Sequence, residues 1–170
     1  MHLHRGQVPS LSRQIVGALV DHEDIEVVDR NEVARDVQAV LTNYVNDVDR
    51  VNQRARELVH QRGLPQGEYG RIKRLAAEQA GIKTGEEALD YVLDQLLEML
   101  MHSGNVEEIY ADDPVLKRRM RTFLRADDAR ESSLEAEVRA KLRHVEEGSR
   151  TWEIEYQRMK AEIRRRKGLE

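Results

Sequence analysis

The sequence predicts an all-α protein, an elongated helical bundle with two long helices. Two stretches carry apolar residues at alternating spacings of four and three, a period that keeps one stripe facing a neighbouring helix. Three prolines and ten glycines leave little signal for hairpins or disorder. The first seam comprises Val37, Leu41, Tyr44, Val48, Val51, Ala55 and Leu58. The second seam comprises Val138, Leu142, Val145, Ser149, Trp152, Tyr156, Met159 and Ile163, in which Ser149 alone is polar.

The N-terminal part is predicted to hold a short helix and the first long one. The short helix spans 10–22, and the alternating segment 24–29 is interpreted as an extended connector because no second strand signal lies nearby. Asn31 is a suitable N-cap for the long helix, and Gly63 and Pro65 end it. At 1.5 Å per residue this helix is about 48 Å long.

The middle of the chain is predicted to hold two shorter helices. The first spans 67–80, ends at Gly81, and turns Ile72, Leu75 and Ala76 inward. Thr84 and Glu87 have the spacing of a capping box that opens the second, which reaches His102. This second helix is the most apolar segment, so we expect it at the centre of the core, through Leu89, Val92, Leu93, Leu96, Leu97, Leu100 and Met101.

The C-terminal part is predicted to end in the second long helix. A helical turn or two over 105–110 precedes a helix that opens at Asp113-Pro114 and ends near 124, and the polar stretch 125–131 resembles a hinge. A last helix from Ser132 to Lys167, about 52 Å long, requires that it tolerate Gly148. We therefore expect a helical core domain over 1–125 and a long C-terminal helix over 126–170, either an arm or packed against the core. The two seams pair with each other or with another subunit.

Composition excludes several classes of protein. The chain has no cysteine, which rules out disulfides, thiolate catalysis and cysteine-based zinc sites. No apolar run reaches the roughly 18 residues of a transmembrane helix, and the first residues lack the apolar segment of a signal peptide. We expect a cytoplasmic protein without a membrane partner.

Charge is unevenly distributed, although the net charge is only −4. Residues 86–113 contain nine acids and no lysine or arginine, whereas 117–125 contain five bases and no acid. The segment 164–167 adds four more bases. Opposed patches of this kind favour oriented contact with a protein partner or with a second copy of the chain.

No motif indicates catalysis, a cofactor or a metal. The one Glu-x-x-His motif, Glu57 to His60, lacks the second copy that a di-metal bundle requires. No Gly-x-Ser-x-Gly and no phosphate-binding glycine loop occurs. We expect a non-enzymatic protein with no catalytic residues and no bound cofactor or metal.

Short motifs spread over nearly the whole chain carry a family resemblance. The sharpest are 105–109 (NVEEI) and 150–157 (RTWEIEYQ); the others are Arg5-Gly6 with Pro9, 62–65, 70–73, 87–91 and 165–169. On these motifs the chain resembles a bacterial family designated domain of unknown function 507. The resemblance implies a small helical bacterial protein and brings no catalytic residue, ligand or partner.

Trp152 is the most suggestive single residue. It lies on the second seam beside Tyr156, with Arg150, Glu153 and Glu155 around it. It is either a core aromatic that locks the last helix to the body of the protein or an interface anchor, since Trp, Tyr and Arg dominate binding hot spots. The candidate protein interface is therefore Arg150, Trp152, Glu153 and Tyr156.

The basic residues support an alternative function. A nucleic-acid- or ribosome-associated factor could contact phosphates through Lys117, Arg118, Arg119, Arg121 and Arg125, together with Arg164, Arg165, Arg166 and Lys167. The simpler interpretation is that these bases are solvated or pair with the acidic segment 86–113. The leading hypothesis is a helical interaction protein, with a protein partner or a second copy as its ligand.

Overall fold

The computed structural model describes residues 1–169, and the all-α class is confirmed. Short 3-10 turns precede three of the helices. The helices are α1 (Val8–Asp21), α2 (Arg30–Gln61), α3 (Tyr69–Ala80), α4 (Ala88–His102), α5 (Asp113–Leu142) and α6 (Arg150–Lys167); the strands are β1 (Ile25–Val27) and β2 (Val106–Ile109). None of these helices has the length and hydropathy that a bilayer crossing requires.

The first predicted long helix is present as α2, which runs for 32 residues. Its N-cap is Asp29 rather than Asn31, because the Asp29 carboxylate accepts hydrogen bonds from the backbone amides of Asn31 at 2.6 Å and Glu32 at 3.3 Å. The helix ends before Gly63, which has the left-handed φ of 58° that a C-terminal glycine permits.

The main core forms where α1, α2 and α4 meet the first half of α5. As predicted, α4 lies at its centre, although Met101 is exposed. The first seam faces this core at its N-terminal end and α3 at its C-terminal end, where Ala55 and Val59 pack on Ile72. Buried members of the main core include Leu11, Ile15, Leu19, Val37, Leu41, Val92, Leu93, Leu96, Leu100, Leu116, Met120 and Leu124.

Two predictions about the sheet region are wrong. The segment 24–29 is not a connector, because β1 pairs antiparallel with β2, with Ile25 opposite Ile109 and Glu26 opposite Glu108. The segment 105–110 is therefore a strand and not a helical turn. The alternation of residues 24–29 does indicate a strand. Its partner strand lies some 80 residues further along the chain, so a local pattern could not reveal the pairing.

Two local predictions in the middle of the chain are also wrong. The Thr84 side chain makes no capping hydrogen bond, because a 3-10 turn over Gly85–Glu87 intervenes before α4 begins. Leu75 is exposed rather than inward, whereas Ile72 and Ala76 are buried as predicted.

The predicted hinge at 125–131 is wrong, because α5 runs without interruption for 30 residues. Two of the polar residues in that stretch are buried: Asp127 is 1% exposed and Glu131 is 5% exposed. Glu131 forms an ion pair with Arg164, which is equally buried. This stretch is therefore continuous helix, in which Glu131 forms a buried ionic contact with α6 and Asp127 pairs with Arg130 of α5 itself.

The predicted single helix from Ser132 to Lys167 is wrong. Gly148 has a left-handed φ of 84°, and α6 begins after it with Ser149 as N-cap, whose hydroxyl accepts from the Trp152 amide at 3.1 Å. The second seam therefore folds back on itself within the α5–α6 hairpin. Its buried residues form a separate hairpin core of Leu134, Val138, Leu142, Trp152, Tyr156 and Ile163. The division into domains at residue 125 stays a prediction.

Candidate interaction cleft

An open cleft of about 920 Å³ lies between α2 and α3 on one side and the α5–α6 hairpin on the other. The side chains that line it are mostly polar and come from five separate parts of the chain. Those that carry the chemistry are Arg56, Lys73, Glu135, Arg139, Trp152, Tyr156 and Lys160.

The hairpin wall of the cleft holds a stacked aromatic pair. The ring centroids of Trp152 and Tyr156 are 4.7 Å apart with 22° between the ring planes. The Arg139 guanidinium lies 5.6 Å from the Trp152 centroid, and the Lys160 ammonium lies 5.5 Å from the Tyr156 centroid. Each cation is thus within range of the negative face of a ring.

Glu135 joins these groups into one network. The Tyr156 hydroxyl donates to Glu135 Oε2 at 2.9 Å, and Arg139 donates to Oε1 at 3.3 Å. Burial acts to raise the pKa of Glu135, but the Tyr156 hydrogen bond and the charge of Lys160 outweigh it, so the pKa lies below its ordinary value. Burial and the Glu135 charge raise the pKa of Tyr156. At neutral pH the pair is therefore a carboxylate and a neutral phenol.

The opposite wall contributes Lys73 and Tyr69 from α3. Lys73 is half-buried and forms no ion pair with any residue that the structure describes. Burial lowers the pKa of its amine, and the charge of Glu135 acts in the opposite direction. Burial raises the pKa of Tyr69, whose hydroxyl reaches Asn52 Oδ1 at 3.5 Å. Lys73 is therefore a cleft donor that is free for a ligand.

Gly148 and Gln66 close one end of the cleft. A Cβ at position 148 would collide with the Gln66 side-chain oxygen, and the left-handed φ of Gly148 disfavours other residues independently. The turn before α6 therefore lies close to the loop between α2 and α3 at that end of the cleft.

The structure brings three of the four predicted interface residues together. Trp152, Glu153 and Tyr156 line the hairpin wall, and Glu153 reaches across to Arg56 at 3.5 Å. Arg150 is exposed in the first turn of α6 and does not line the cleft. Trp152 is only 9% exposed and also lines the cleft. It is a core aromatic, as one interpretation predicts, but it packs α6 against α5 in the hairpin core and does not join the main core.

Sequence reasoning missed Lys73, Glu135 and Arg139. The spacing of Glu135 and Arg139, four residues apart on a helix, was an available signal for a pair on one face. Nothing local to Lys73 distinguishes it from the other bases of α3, because its position in the cleft depends on how α3 packs against the hairpin.

Three bases of the 117–125 cluster form ion pairs within the chain. Lys117 pairs with Asp94, and Arg121 pairs with Asp90 at 2.6 Å. Both aspartates lie in the acidic segment 86–113, so these two pairs are the ones expected if the bases pair within the chain. Arg119 binds both oxygens of the buried Asp24, at 2.6 and 3.1 Å. Arg118 and Arg125 are exposed and make no ion pair within residues 1–169.

The basic segment 164–167 lies along α5. Arg164 pairs with Glu131 in the interior, while Arg166 and Lys167 both pair with Glu137, the latter at 2.6 Å. Arg165 is exposed. Three of these four bases therefore hold α6 against α5.

The remaining motif is the Glu57 to His60 pair. Both side chains are exposed on α2, and Glu57 accepts from Gln53 at 3.1 Å. No group of three or more potential metal ligands lies together in the described part of the chain.

Comparison with known families gives a match over the whole described chain. The family whose model matches residues 1–169 is described as "Protein of unknown function (DUF507)". None of the curated proteins matches. The family resemblance inferred from the sequence motifs is confirmed.

Proposed function

The chain belongs to the DUF507 family, and we propose that this member is a non-enzymatic interaction protein that binds a segment of a partner protein in the cleft between α3 and the α5–α6 hairpin. The proposal includes a cytoplasmic location, which a chain without cysteine fits.

The observation that carries the proposal is the stacked pair of Trp152 and Tyr156 beside Arg139 and Lys160 in an open cleft. Trp, Tyr and Arg contribute most of the binding energy at protein interfaces, because they offer large rigid contact areas with a polar group at the edge. Lys73 adds a donor without an ion-pair partner among residues 1–169 on the facing wall. The cleft thus combines an aromatic surface with polar groups that can orient a ligand.

The packing of the two seams favours binding in the cleft over self-association through the seams. The buried residues of the first seam pack against the main core and α3, and those of the second pack against each other. Neither seam presents a continuous apolar stripe to a second copy of the chain. A second copy remains an alternative occupant, and the oligomeric state of the protein tests it.

The experiment that tests the proposal fills the cleft without disturbing the core. A Cβ at Gly70, which lines the cleft, would meet no atom within 4 Å, and the same holds for Gly17 in α1, away from the cleft. Gly70→Trp therefore places bulk in the cleft, and Gly17→Trp is the matched control. Each variant is used to capture proteins from the native host lysate, with and without nuclease, after circular dichroism has verified folding.

We expect a stoichiometric protein that survives nuclease, is retained by Gly17→Trp and is lost with Gly70→Trp. Equal capture by both variants would remove the cleft from the proposal. Loss of all captured material on nuclease treatment would favour the second candidate function instead.

The second candidate is a nucleic-acid- or ribosome-associated factor, and Arg118 and Arg125 favour it. They are the two exposed bases of their cluster that lack a carboxylate partner in the part of the chain that the structure describes. Binding through phosphates weakens steeply with salt because counterions are released. Under this alternative, R118E with R125E abolishes binding of a mixed-sequence oligonucleotide and Gly70→Trp leaves it unchanged.

A further inference from the structure

The two-stranded sheet has a free edge at β1. The order of strands is β1–β2, and no third strand lies beside β1 within residues 1–169. The Asp24 carbonyl accepts from the Tyr110 amide at 2.9 Å, and the Val28 amide donates to the Asn105 carbonyl at 3.1 Å, so both face β2. Because backbone groups alternate in direction along a strand, those of Ile25 and Val27 face away from β2.

A groove of about 840 Å³ follows this edge, lined by Val20, Ile25, Val27, Val28 and Tyr110 among others. Val28 is 66% exposed and Tyr110 is 62% exposed, which is high for apolar and aromatic side chains beside an open strand. Proteins commonly protect such edges with lysine or proline, and β1 contains neither, although it is only three residues long and its register with β2 shifts between Glu26 and Val27. Ile25 is 2% exposed and Val27 is half-buried, so the accessible part of this edge lies at Val27 and Val28.

The surroundings of the groove are acidic. Glu23, Glu26, Glu107 and Glu108 are all exposed and form no ion pair in the described chain, although Glu26 accepts from the Tyr110 hydroxyl at 2.6 Å. The one base on the rim, Arg30, is already paired with Asp21 at 2.8 Å. The groove therefore offers uncompensated negative charge beside unpaired backbone groups.

We propose that the free edge of β1 is a docking site for an extended basic segment of a partner protein, which adds as a third strand of the sheet. Backbone hydrogen bonds to the outward-facing groups of Val27 give such a strand its affinity, and alternate side chains give it specificity. Apolar side chains of the segment cover Val28 and Tyr110, and its lysines or arginines face the carboxylates. This site shares no residue with the cleft, so the inference does not depend on the proposed function.

Charge decides against a second copy of this chain as the occupant. Antiparallel pairing of two β1 strands through their outward-facing residues would bring Glu26 of each copy opposite Glu26 of the other. Like charges opposite each other across a strand pair are destabilising. A basic segment meets the same surface with opposite charge.

The test uses an eight-residue peptide of alternating lysine and valine, with a fluorescent label, and measures anisotropy against the full chain. Val27→Pro removes the outward-facing amide while leaving the amides that face β2, and Val27→Thr is its matched control. A second variant, Glu107→Lys with Glu108→Lys, changes only exposed side chains and so tests charge without the risk of unfolding.

We expect the lysine peptide to bind, with affinity reduced at least about tenfold by Val27→Pro and by the double lysine variant, and unchanged by Val27→Thr and Gly70→Trp. A peptide with glutamate in place of each lysine should not bind. Three results would each overturn the proposal. The first is that the lysine peptide does not bind the protein, and the second is that the lysine and glutamate peptides bind equally. The third such result is that Val27→Pro and the double lysine variant both bind the lysine peptide as tightly as the unchanged protein.

Discussion

The main core and the hairpin core are built from different kinds of side chain. The main core is a large, mostly aliphatic cluster from four helices and β1, with Leu93, Leu96 and Met120 fully buried. The hairpin core is smaller and relies on the stacked Trp152 and Tyr156, and the buried Glu131–Arg164 pair lies on the same two helices. Where several helices converge the core is almost entirely apolar, whereas the two-helix hairpin adds aromatic stacking and a buried ionic contact.

The comparison also shows what a heptad rhythm specifies. Both seams have the same spacing, but the first packs on several neighbours and the second packs on itself across a turn. The spacing therefore predicts which residues are buried, but it does not predict which helices they pack against.

We expect the largest effect from breaking the buried ion pair. Glu131→Gln removes the carboxylate that pairs directly with the buried Arg164 and should lower the free energy of unfolding by about 3–5 kcal/mol. Urea denaturation measures the change. The double variant Glu131→Leu with Arg164→Met should recover most of it, because it buries no charge. A loss below about 1 kcal/mol for the single variant would contradict the importance of the pair for the hairpin.

Leucine truncation compares the two cores directly. Leu96→Ala in the main core should cost about 3–4 kcal/mol, and Leu134→Ala in the hairpin core about 2–3 kcal/mol, because the smaller cluster can collapse further around the cavity. Hydrogen exchange read by mass spectrometry should show Leu96→Ala reducing amide protection throughout and Leu134→Ala reducing it mainly over 130–167. Loss of protection everywhere in both variants would mean that the two regions unfold as one unit.

The turn that makes the hairpin is tested by glycine substitution. Gly148→Ala forces a side chain into a left-handed conformation and against Gln66, and should cost about 1–2 kcal/mol. Gly70→Ala, in a helix with open space around the new Cβ, should instead stabilise by about 0.4–1 kcal/mol. Thermal denaturation of the two variants shows whether each substitution raises or lowers stability. Stabilisation by Gly148→Ala would contradict the observed turn.

The smallest expected effect is the pH dependence contributed by His4. Burial and the nearby Arg164 lower the pKa of His4 below its ordinary 6.5, with Glu131 acting in the opposite direction. The unfolded chain therefore binds more protons below about pH 6.5, so the contribution of His4 to stability is full above that pH and is lost as pH falls through the folded pKa. His4→Gln should flatten the fall in stability between pH 7 and 5 by less than about 1 kcal/mol. An identical pH profile for both proteins would contradict burial of the neutral imidazole.

Helices whose start and stop are encoded locally could be predicted from the sequence. The glycine caps at Gly63 and Gly81 and the apolar face of α4 depend on neighbouring residues, and all three predictions are confirmed. The pairing of β1 with β2 and the continuity of α5 could not be predicted, because each depends on a partner from a distant part of the chain.

The residues that line the candidate cleft could likewise be predicted only in part from the sequence. Trp152, Glu153 and Tyr156 share one helix, so their spacing was enough to group them. Lys73 and Glu135 reach the same cleft from α3 and α5, and only the packing of α3 beside the hairpin brings them there. The sequence therefore indicated one wall of the cleft, and the facing wall required the structure.

The pairing of β1 with β2 has a consequence for synthesis on the ribosome. Val27 and Val106 are register partners, so β1 is made roughly 80 residues before its partner strand, which at typical elongation rates is about 4–16 seconds. During that interval α1 and α2 can pack on each other, but the edge of β1 that later pairs with β2 stays uncovered. The nascent chain thus carries an unpaired strand for seconds, and a chaperone or another binding protein has that time to engage it.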